Sequence, residues 1–167
     1  MASVVNVTYG ADTQLTVTNL NSLASSATAG WQSARIDNTS TLAIDYIISV
    51  KVSLSSTATT NDKAVYCWVS AAFYDGASWF HDDQGTTTSP TGTEGTTTIA
   101  SPHNLKLLGI LNYTATGGVL QGTFLLSNAL GQYMPSGFSI IIINFTGANI
   151  LSTGNVVQYI PVTETIT

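Results

Sequence analysis

The sequence predicts an all-β protein that folds as one β-sandwich or barrel. Apolar residues recur at every second position in several segments, whereas the 3.6-residue period of helices is nearly absent. Glycines such as Gly10, Gly30 and Gly131 separate these segments where turns are expected. The 167 residues are enough for one domain with one core, so we treat residues 1–167 as a single domain.

Three short strands are predicted before the strongest one: Val4–Tyr9, Gln14–Asn19 and Gln32–Ile36. Each is a run of β-favouring residues bounded by glycine or by turn-forming polar residues. The segment at about 1–29 contains the first two, and it is either part of a sheet or an arm that reaches a neighbouring molecule.

The strongest strand signal runs from Leu42 to Leu54. Seven alternate residues of this segment are apolar and mark the core face, whereas Asp45 and Lys51 lie on the other face. A slip of one residue would bury both charges, so the register is firmly specified. The second strong strand is Ala64–Tyr74, and the polar turn between the two strands predicts an antiparallel pair.

The segment at about 82–101 is rich in threonine and glycine and is too long for an ordinary connection. Strands flank it, so we interpret it as an excursion from the single domain and not as a domain boundary. Its threonine runs favour β-structure, and part of it is expected to form an edge hairpin or to pair with a neighbouring subunit.

Four further strands are predicted after this loop: Leu105–Leu111, Val119–Ser127, Phe138–Phe145 and Val156–Val162. The most apolar run, Ile140–Ile143, is far shorter than the about 20 residues that cross a bilayer, so no membrane partner is expected. An alternative for one region is a helical turn between Gln121 and Leu130. The single cysteine, Cys67, alternates with apolar neighbours and is expected to be a buried thiol.

Charged residues make up only 8% of the chain, against about 25% in a typical soluble domain. Serine, threonine and apolar residues take their place, and such a surface resists association with other chains poorly. The composition therefore favours a protein whose working state is an assembly. The four basic residues are far apart in sequence, whereas phosphate binding requires a cluster, so nucleic acid is not an expected partner.

The residues that could carry chemistry show no spacing typical of a site. The candidate metal ligands are His81, His103, Asp75, Asp82 and Asp83. Their spacing matches no established ligand pattern, and a solvated turn is the simpler interpretation. These aspartates and Glu94 also show no spacing that indicates a glycosidase pair. We expect no cofactor, no metal and no enzymatic activity.

Five aromatic residues are candidates for an interface or for ligand stacking: Tyr66, Trp68, Tyr74, Trp79 and Phe80. The first three lie on the strand face opposite the presumed core face. Such a row indicates a strand buried on both faces, a protein interface or a platform on which sugars stack. Arg35 and Asp37 lie two residues apart on one strand face, and they form a structural ion pair at a strand end, a subunit contact or an exposed pair of little energetic weight.

Three segments carry a resemblance to a known family: Gly30–Thr39, which leads into the long strand, Asn104–Gly109, which opens a strand, and Pro135–Gly147. Together they resemble small virion proteins of tailed bacteriophages, of the kind that decorate or cement the capsid. The resemblance runs from about Gly30 to Val162 and rests on loose patterns, without a catalytic signature. The threonine-rich loop is not part of it.

The resemblance implies a jelly-roll domain that associates as a homotrimer on the capsid exterior and braces neighbouring major capsid subunits. It implies no active-site residues. Such a protein assembles in the host cytoplasm, which agrees with an N-terminus where no basic segment precedes an apolar one. We expect a non-enzymatic capsid decoration protein whose partners are its own copies and the major capsid protein. The alternative is a carbohydrate-binding or receptor-binding β-sandwich module, on a phage fibre or similar.

Overall fold

Two antiparallel β-sheets stack face to face, which confirms the predicted all-β, jelly-roll-like sandwich. The computed structural model describes residues 4–56, 64–82, 90–99, 104–113, 118–131 and 133–167. Its elements in chain order are β1 (Val5–Tyr9), β2 (Thr13–Gln14), β3 (Ala29–Gln32), β4 (Ile36–Asp37), β5 (Asp45–Ser53), β6 (Ala64–Tyr74), β7 (Trp79–His81), β8 (Gly95–Thr98), β9 (Lys106–Asn112), β10 (Val119–Leu125), α1 (Leu126–Leu130), β11 (Gly137–Asn144) and β12 (Val156–Ile166).

The strand order places the two longest strands in different sheets. Sheet A has the order β1–β12–β5–β10, with β2 also paired to β12. Sheet B has the order β7–β6–β11–β3–β8, with β9 paired to β6 and β4 paired to β11. Most of these neighbours are distant in sequence, so long-range pairing organises the fold.

The core lies between the sheets and is built from alternate residues of the long strands. β5 contributes Tyr46, Ile48, Val50 and Val52. β6 and β11 face them with Val65, Cys67, Val69, Phe138, Ile140 and Ile142. All of these side chains are buried, and the predicted period-2 pattern therefore identifies the core face of each strand.

The long strand of sheet A begins later than predicted, at Asp45 and not at Leu42. Leu42 is 73% exposed and Ile44 is 44% exposed, so neither belongs to the core. The cause is Asn38, whose Oδ1 accepts the Ala43 N–H at 2.8 Å and whose Nδ2 donates to the Ala43 carbonyl at 3.2 Å. These bonds close a turn in which Leu42 has a φ of 50°, outside strand geometry.

The predicted antiparallel pair of β5 and β6 is wrong. β5 pairs with β10 and β12, whereas β6 pairs with β7, β9 and β11. Each strand has one strongly apolar face, and two such faces are best buried by stacking across a core. The chain therefore crosses from one sheet to the other between these strands; residues 57–63 of the connection lie outside the described residues.

β11 is buried along its whole length. Its inner face lies in the main core, and its outer residues Ile141 and Ile143 belong to a second apolar cluster with Ile99 and Leu105. A strand covered on both faces does not alternate between apolar and polar residues. This double burial explains the four consecutive isoleucines that begin at Ile140.

The strand predicted at Gln32–Ile36 is interrupted by a bulge. β3 ends at Gln32, β4 begins at Ile36, and one extra residue separates their registers with β11. The Ser33 N–H donates to the Ile140 carbonyl at 2.8 Å, and Ser33 Oγ accepts the Ile140 N–H at 2.9 Å. The hydroxyl thus takes the place of a backbone carbonyl, and the ladder is locally disrupted.

Two other predicted strands are shorter than expected. The one at Gln14–Asn19 is reduced to β2, because the chain turns where the Asn21 N–H donates to the Val17 carbonyl at 3.1 Å. The one at Val119–Ser127 ends at Leu125, where α1 follows. The alternative of a helical turn at 121–130 is therefore correct for the second half of that range.

Asp45 stabilises the start of this short helix from the neighbouring strand. Its Oδ1 accepts the Ser127 N–H at 2.9 Å, and its Oδ2 accepts the Ser127 hydroxyl at 2.6 Å. The residue before the helix makes no side-chain cap of its own. A carboxylate from β5 therefore satisfies one of the free N–H groups of the first turn.

The N-terminal segment at about 1–29 and the threonine-rich segment at about 82–101 both contribute strands to the sheets. In the first 29 residues, β2 lies against the middle of β12, whereas β1 pairs with the part of β12 that continues past β5. In the threonine-rich segment, β8 pairs with β3 of the same chain and forms an edge of sheet B. Residues 83–89 and 100–103 of that segment lie outside the described residues.

Candidate functional site

Two of the five candidate aromatic residues are part of a buried cluster. Tyr66 and Trp68 lie on the outer face of sheet B and pack, partly buried, against Ile141, Ile143 and their neighbours. The Tyr66 ring meets the Phe145 ring edge to face, with centroids 5.5 Å apart. Three interpretations were given for the row of aromatic residues on this strand. For Tyr66 and Trp68, the structure fits the first of them, a strand that is buried on both faces.

The other three aromatic residues lie on the hairpin formed by β6 and β7. Tyr74 and Trp79 are cross-strand partners whose ring centroids are 5.0 Å apart. Phe80 pairs with Phe73, and these side chains are 57% and 55% exposed. Phe73 lies on the same face of β6 as the core residue Val69, but the pairing of β6 with β11 ends at Ala72, so the tip of the hairpin extends past the core and Phe73 is exposed.

Arg35 and Asp37 contact different partners. The Arg35 guanidinium lies 4.0 Å from the centroid of the Trp79 ring, a cation–π contact, and its Nη1 is 3.5 Å from Nε2 of His81. The Asp37 carboxylate accepts the Thr39 N–H at 2.8 Å and the Thr39 hydroxyl at 2.7 Å. These bonds lower the pKa of Asp37, and Arg35 is the weakest of the influences on it.

The Arg35 contacts hold the loop before β8 against sheet B. The Arg35 N–H donates to the Gly92 carbonyl at 2.9 Å. Gly92 has a φ of 74°, and a Cβ there would lie 2.7 Å from Arg35 Nη1, so this position requires glycine. Burial and the Arg35 charge lower the pKa of His81, which favours its neutral form. These contacts fix the position of the loop. Among the described residues, the hydrogen-bonded neighbours of His81 include no nucleophile.

The remaining candidate ligands do not converge in the described part of the chain. Asp75 accepts the N–H groups of Ala77 and Ser78 and shapes the β6–β7 turn, and these bonds lower its pKa. Burial raises the pKa of Asp82. His103 and Asp83 lie outside the described residues. Within those residues, no three His, Cys, Asp or Glu side chains form a group that could hold a metal ion.

Glu94 joins three separate segments at the start of β8. Its Oε1 accepts the indole N–H of Trp31 and the backbone N–H of Asn19, both at 2.7 Å. Its Oε2 accepts from Nδ2 of Asn19 at 2.8 Å. Burial acts to raise the pKa of Glu94, but these hydrogen bonds lower it below the ordinary value of 4.5. No local pattern in the sequence indicates this role, because both partners are more than 60 residues away.

Replacing Glu94 with glutamine is expected to destabilise the protein by about 1–2 kcal/mol at pH 7, because charged acceptors make the stronger hydrogen bonds. The folded-state pKa is depressed, so the carboxylate contributes stability above pH 4.5 that is lost as the pH falls through the folded-state pKa. The difference in free energy of unfolding between the wild type and Glu94→Gln, measured by urea unfolding, should therefore be smaller at pH 3 than at pH 7. Asp12→Asn, which removes a carboxylate at an exposed position, is the control. An equal difference at both pH values would contradict this role.

A cleft of about 220 Å³ lies at the same end of the sandwich as the β6–β7 hairpin. Phe73, Leu130, Tyr133 and Met134 form apolar parts of its lining, and Asp82 and Lys106 contribute one charge of each sign. Tyr133 is 86% exposed. The cleft therefore offers apolar contact area with few polar groups, and neither Tyr133 nor Met134 was a candidate from the sequence.

Two other features concern reactivity and location. Cys67 is fully buried, as predicted, and burial raises the pKa of its thiol to about 12. It is therefore a poor nucleophile near neutral pH.

None of the helices in the described ranges is long and apolar enough to cross a bilayer.

Comparison with known proteins does not assign this chain to a family. No family model matches it, and no curated protein gives a significant match. Among solved structures, it is similar to a chain of infectious bursal disease virus, Gt strain, with 12% sequence identity and a TM-score of 0.18. The match covers 97% of this chain and 39% of that one. A TM-score this low carries no argument about fold or function.

Proposed function

We propose that this protein is a non-enzymatic structural component of a virion, which binds the exterior of a bacteriophage capsid as a homotrimer. In this role it stabilises contacts between major capsid subunits. The resemblance of residues 30–162 to capsid decoration proteins suggests the class. The remaining support comes from the surface of the molecule.

The observation that carries the proposal is a surface with few charges and many exposed apolar side chains. Only 8% of the residues are charged, and sixteen large hydrophobic side chains of the described residues are exposed. Several of the few charged groups are used within the chain, as Asp45, Glu94 and Arg35 illustrate. Such a surface gives little electrostatic repulsion between copies and favours association by apolar burial.

The mass of the purified protein in solution tests the homotrimer. Light scattering behind a sizing column is expected to give three times the 17.5 kDa chain mass. The trimer should persist in about 1 M NaCl, since salt screens charge pairs but does not weaken apolar contacts. Dissociation into monomers at high salt would contradict the apolar character of the contacts.

Binding to capsids tests the decoration role itself. Expanded bacteriophage capsids are sedimented with the protein, and saturable co-sedimentation is the expected result. A monomer that fails to bind capsids would instead favour the second candidate, a carbohydrate-binding module. That candidate is supported by the exposed Phe73 and Tyr133 at the cleft and by Trp79, and a glycan array with wild type and Trp79→Ala would then decide it.

A further inference from the structure

The first and last strands form a two-stranded arm that leaves the sandwich. β12 pairs with β5 only as far as Val162, which lies opposite Asp45. Beyond that point β12 has β1 as its partner in the ladder, from Tyr9 opposite Val162 to Val5 opposite Ile166. Val4 and Thr167 close the ribbon with two hydrogen bonds, at 2.9 and 3.0 Å. We define the arm as residues 4–9 and 163–167.

Among the described residues, no element other than the two strands themselves covers the apolar side chains of the arm. Every residue of β1 is exposed, and the exposed fractions of its large apolar side chains lie between 52% and 70%. These side chains are Val4, Val5, Val7, Tyr9 and Ile166. Glu164 is the only charged residue in the two segments of the arm. A ribbon of two strands gains little stability by itself in water, so a further surface packed on the arm would stabilise it.

The arm leaves from the end of the sandwich that carries most of the other exposed apolar residues. This end, which we call the end face, holds the start of β5, the end of β6, α1 and the start of β11. Leu42, Ile44, Leu125 and Tyr133 are exposed there. The β6–β7 hairpin adds Phe73, Tyr74 and Phe80, and the 220 Å³ cleft opens beside it.

The distribution of these residues is strongly one-sided. Of the sixteen exposed large hydrophobic side chains in the described residues, the five of the arm and the seven of the end face lie at this end. The other four are Leu107, Ile110, Val119 and Leu151. A concentration of apolar residues on one surface marks an interaction site.

We infer that the arm of one copy packs on the end face of a second copy and that this contact is the interface of the homo-oligomer. The arm continues the direction of β12 away from its own sandwich, and its residues stay exposed there, so the end face that covers it belongs to another molecule. An arm and its acceptor on the same chain suit a closed symmetric assembly, in which every copy gives one arm and receives one. The inference rests on the proposed function for the presence of an oligomer.

A matched pair of substitutions tests the role of the arm. Val7 in β1 and Val119 in β10 are 52% and 51% exposed, and both lie on strands of sheet A. Val7→Lys places an unpaired charge in the proposed interface and is expected to weaken self-association by about tenfold or more. Val119→Lys, at the opposite end of the sandwich, is expected to leave the solution mass unchanged. Equal masses for the two variants, with wild-type circular dichroism, would overturn the inference.

Cross-linking tests which surface receives the arm. A photo-reactive benzoylphenylalanine replaces Val7, and isotope-labelled and unlabelled copies are mixed so that links between chains can be recognised by mass. We expect links between chains to residues 73–80 or to the segment around Tyr133. Links confined to one chain, links to residues 109–112 at the far end of β9, or a wild type that is monomeric at about 100 μM would each overturn the inference. A variant that lacks residues 1–9 provides a second test, since the loss of β1 should also leave a monomer.

Co-sedimentation separates this inference from the proposed function. If the protein forms an oligomer that depends on the arm but does not bind capsids, the result supports the proposed interface and contradicts the proposed decoration role. If the wild type binds capsids and the Val7→Lys variant has the same solution mass as the wild type, the result supports the decoration role and contradicts the proposed interface. Each proposal therefore fails through a different measurement.

Discussion

Replacement of Phe138 with alanine is expected to lower the free energy of unfolding by about 3–5 kcal/mol, the range measured for large aromatic residues in cores. Phe138 is fully buried in β11 and meets the Tyr46 ring edge to face, with centroids 4.9 Å apart. Removal of the ring leaves a cavity between the two sheets, and it also removes a support of the Asn38 turn, since the Tyr46 hydroxyl donates to Asn38 at 2.7 Å.

Phe80→Ala is the matched control for this prediction, because its ring is 57% exposed on the β6–β7 hairpin. Urea unfolding followed by circular dichroism should give a change for this variant that is several times smaller than for Phe138→Ala. The two measurements are made under conditions in which the protein is monomeric, so that self-association does not contribute. Similar losses for the two variants would show that the main core does not lie between the sheets as described.

A larger residue at Gly30 is expected to destabilise sheet B. A Cβ at this position would lie 2.7 Å from the backbone oxygen of Ile142 and 3.3 Å from the Ile99 side chain. The carbonyl belongs to the central strand β11 and cannot move without disturbing its ladder, so Gly30→Ala should cost about 1–3 kcal/mol. The close approach also lets the segment around Ile99 cover the outer face of the sheet.

Gly95, opposite Gln32 on the neighbouring strand β8, provides the comparison. A Cβ at Gly95 meets no atom within 4 Å, and its φ is not in the left-handed region. Gly95→Ala should therefore be neutral, or stabilising by about 0.4–1 kcal/mol through the lower entropy of the unfolded chain. The melting temperatures of the two variants should shift in opposite directions from the wild-type value, or differ from each other by several degrees. A Gly30→Ala variant as stable as Gly95→Ala would contradict the packing described here.

Local patterns in the sequence predicted the strands well but not their partners. β6 has the predicted bounds, and the core face of β5 is the one that alternation indicates. Their pairing was predicted wrongly, because the hairpin rule uses only the distance along the chain. The partners of β5 are held by the register of β10 and β12, which lie more than 60 residues away. No local feature of the sequence reports such pairing.

The same holds for the candidate site residues: the sequence indicates on which strand face they lie, but not which side chains they contact. Alternation placed Tyr66 and Trp68 on the outer face of their strand, but only the position of Ile99 and Leu105 shows that this face is covered. Glu94 was considered as a catalytic carboxylate, whereas its contacts with Asn19 and Trp31 make it a link between segments. Side-chain contacts of this kind depend on the tertiary fold and leave no spacing rule in the sequence.

The position of β12 inside sheet A has a consequence for synthesis. This strand lies between β5 on one side and β1 and β2 on the other, so the complete sheet A cannot form until residues 156–166 have left the ribosome. Until then β1 and β2 lack the strand with which they pair, and pairing over such sequence distances is slow. A chain cut short before β12 would also lack one strand of the arm. If the protein assembles through the arm as proposed, this topology would exclude incomplete products from the oligomer.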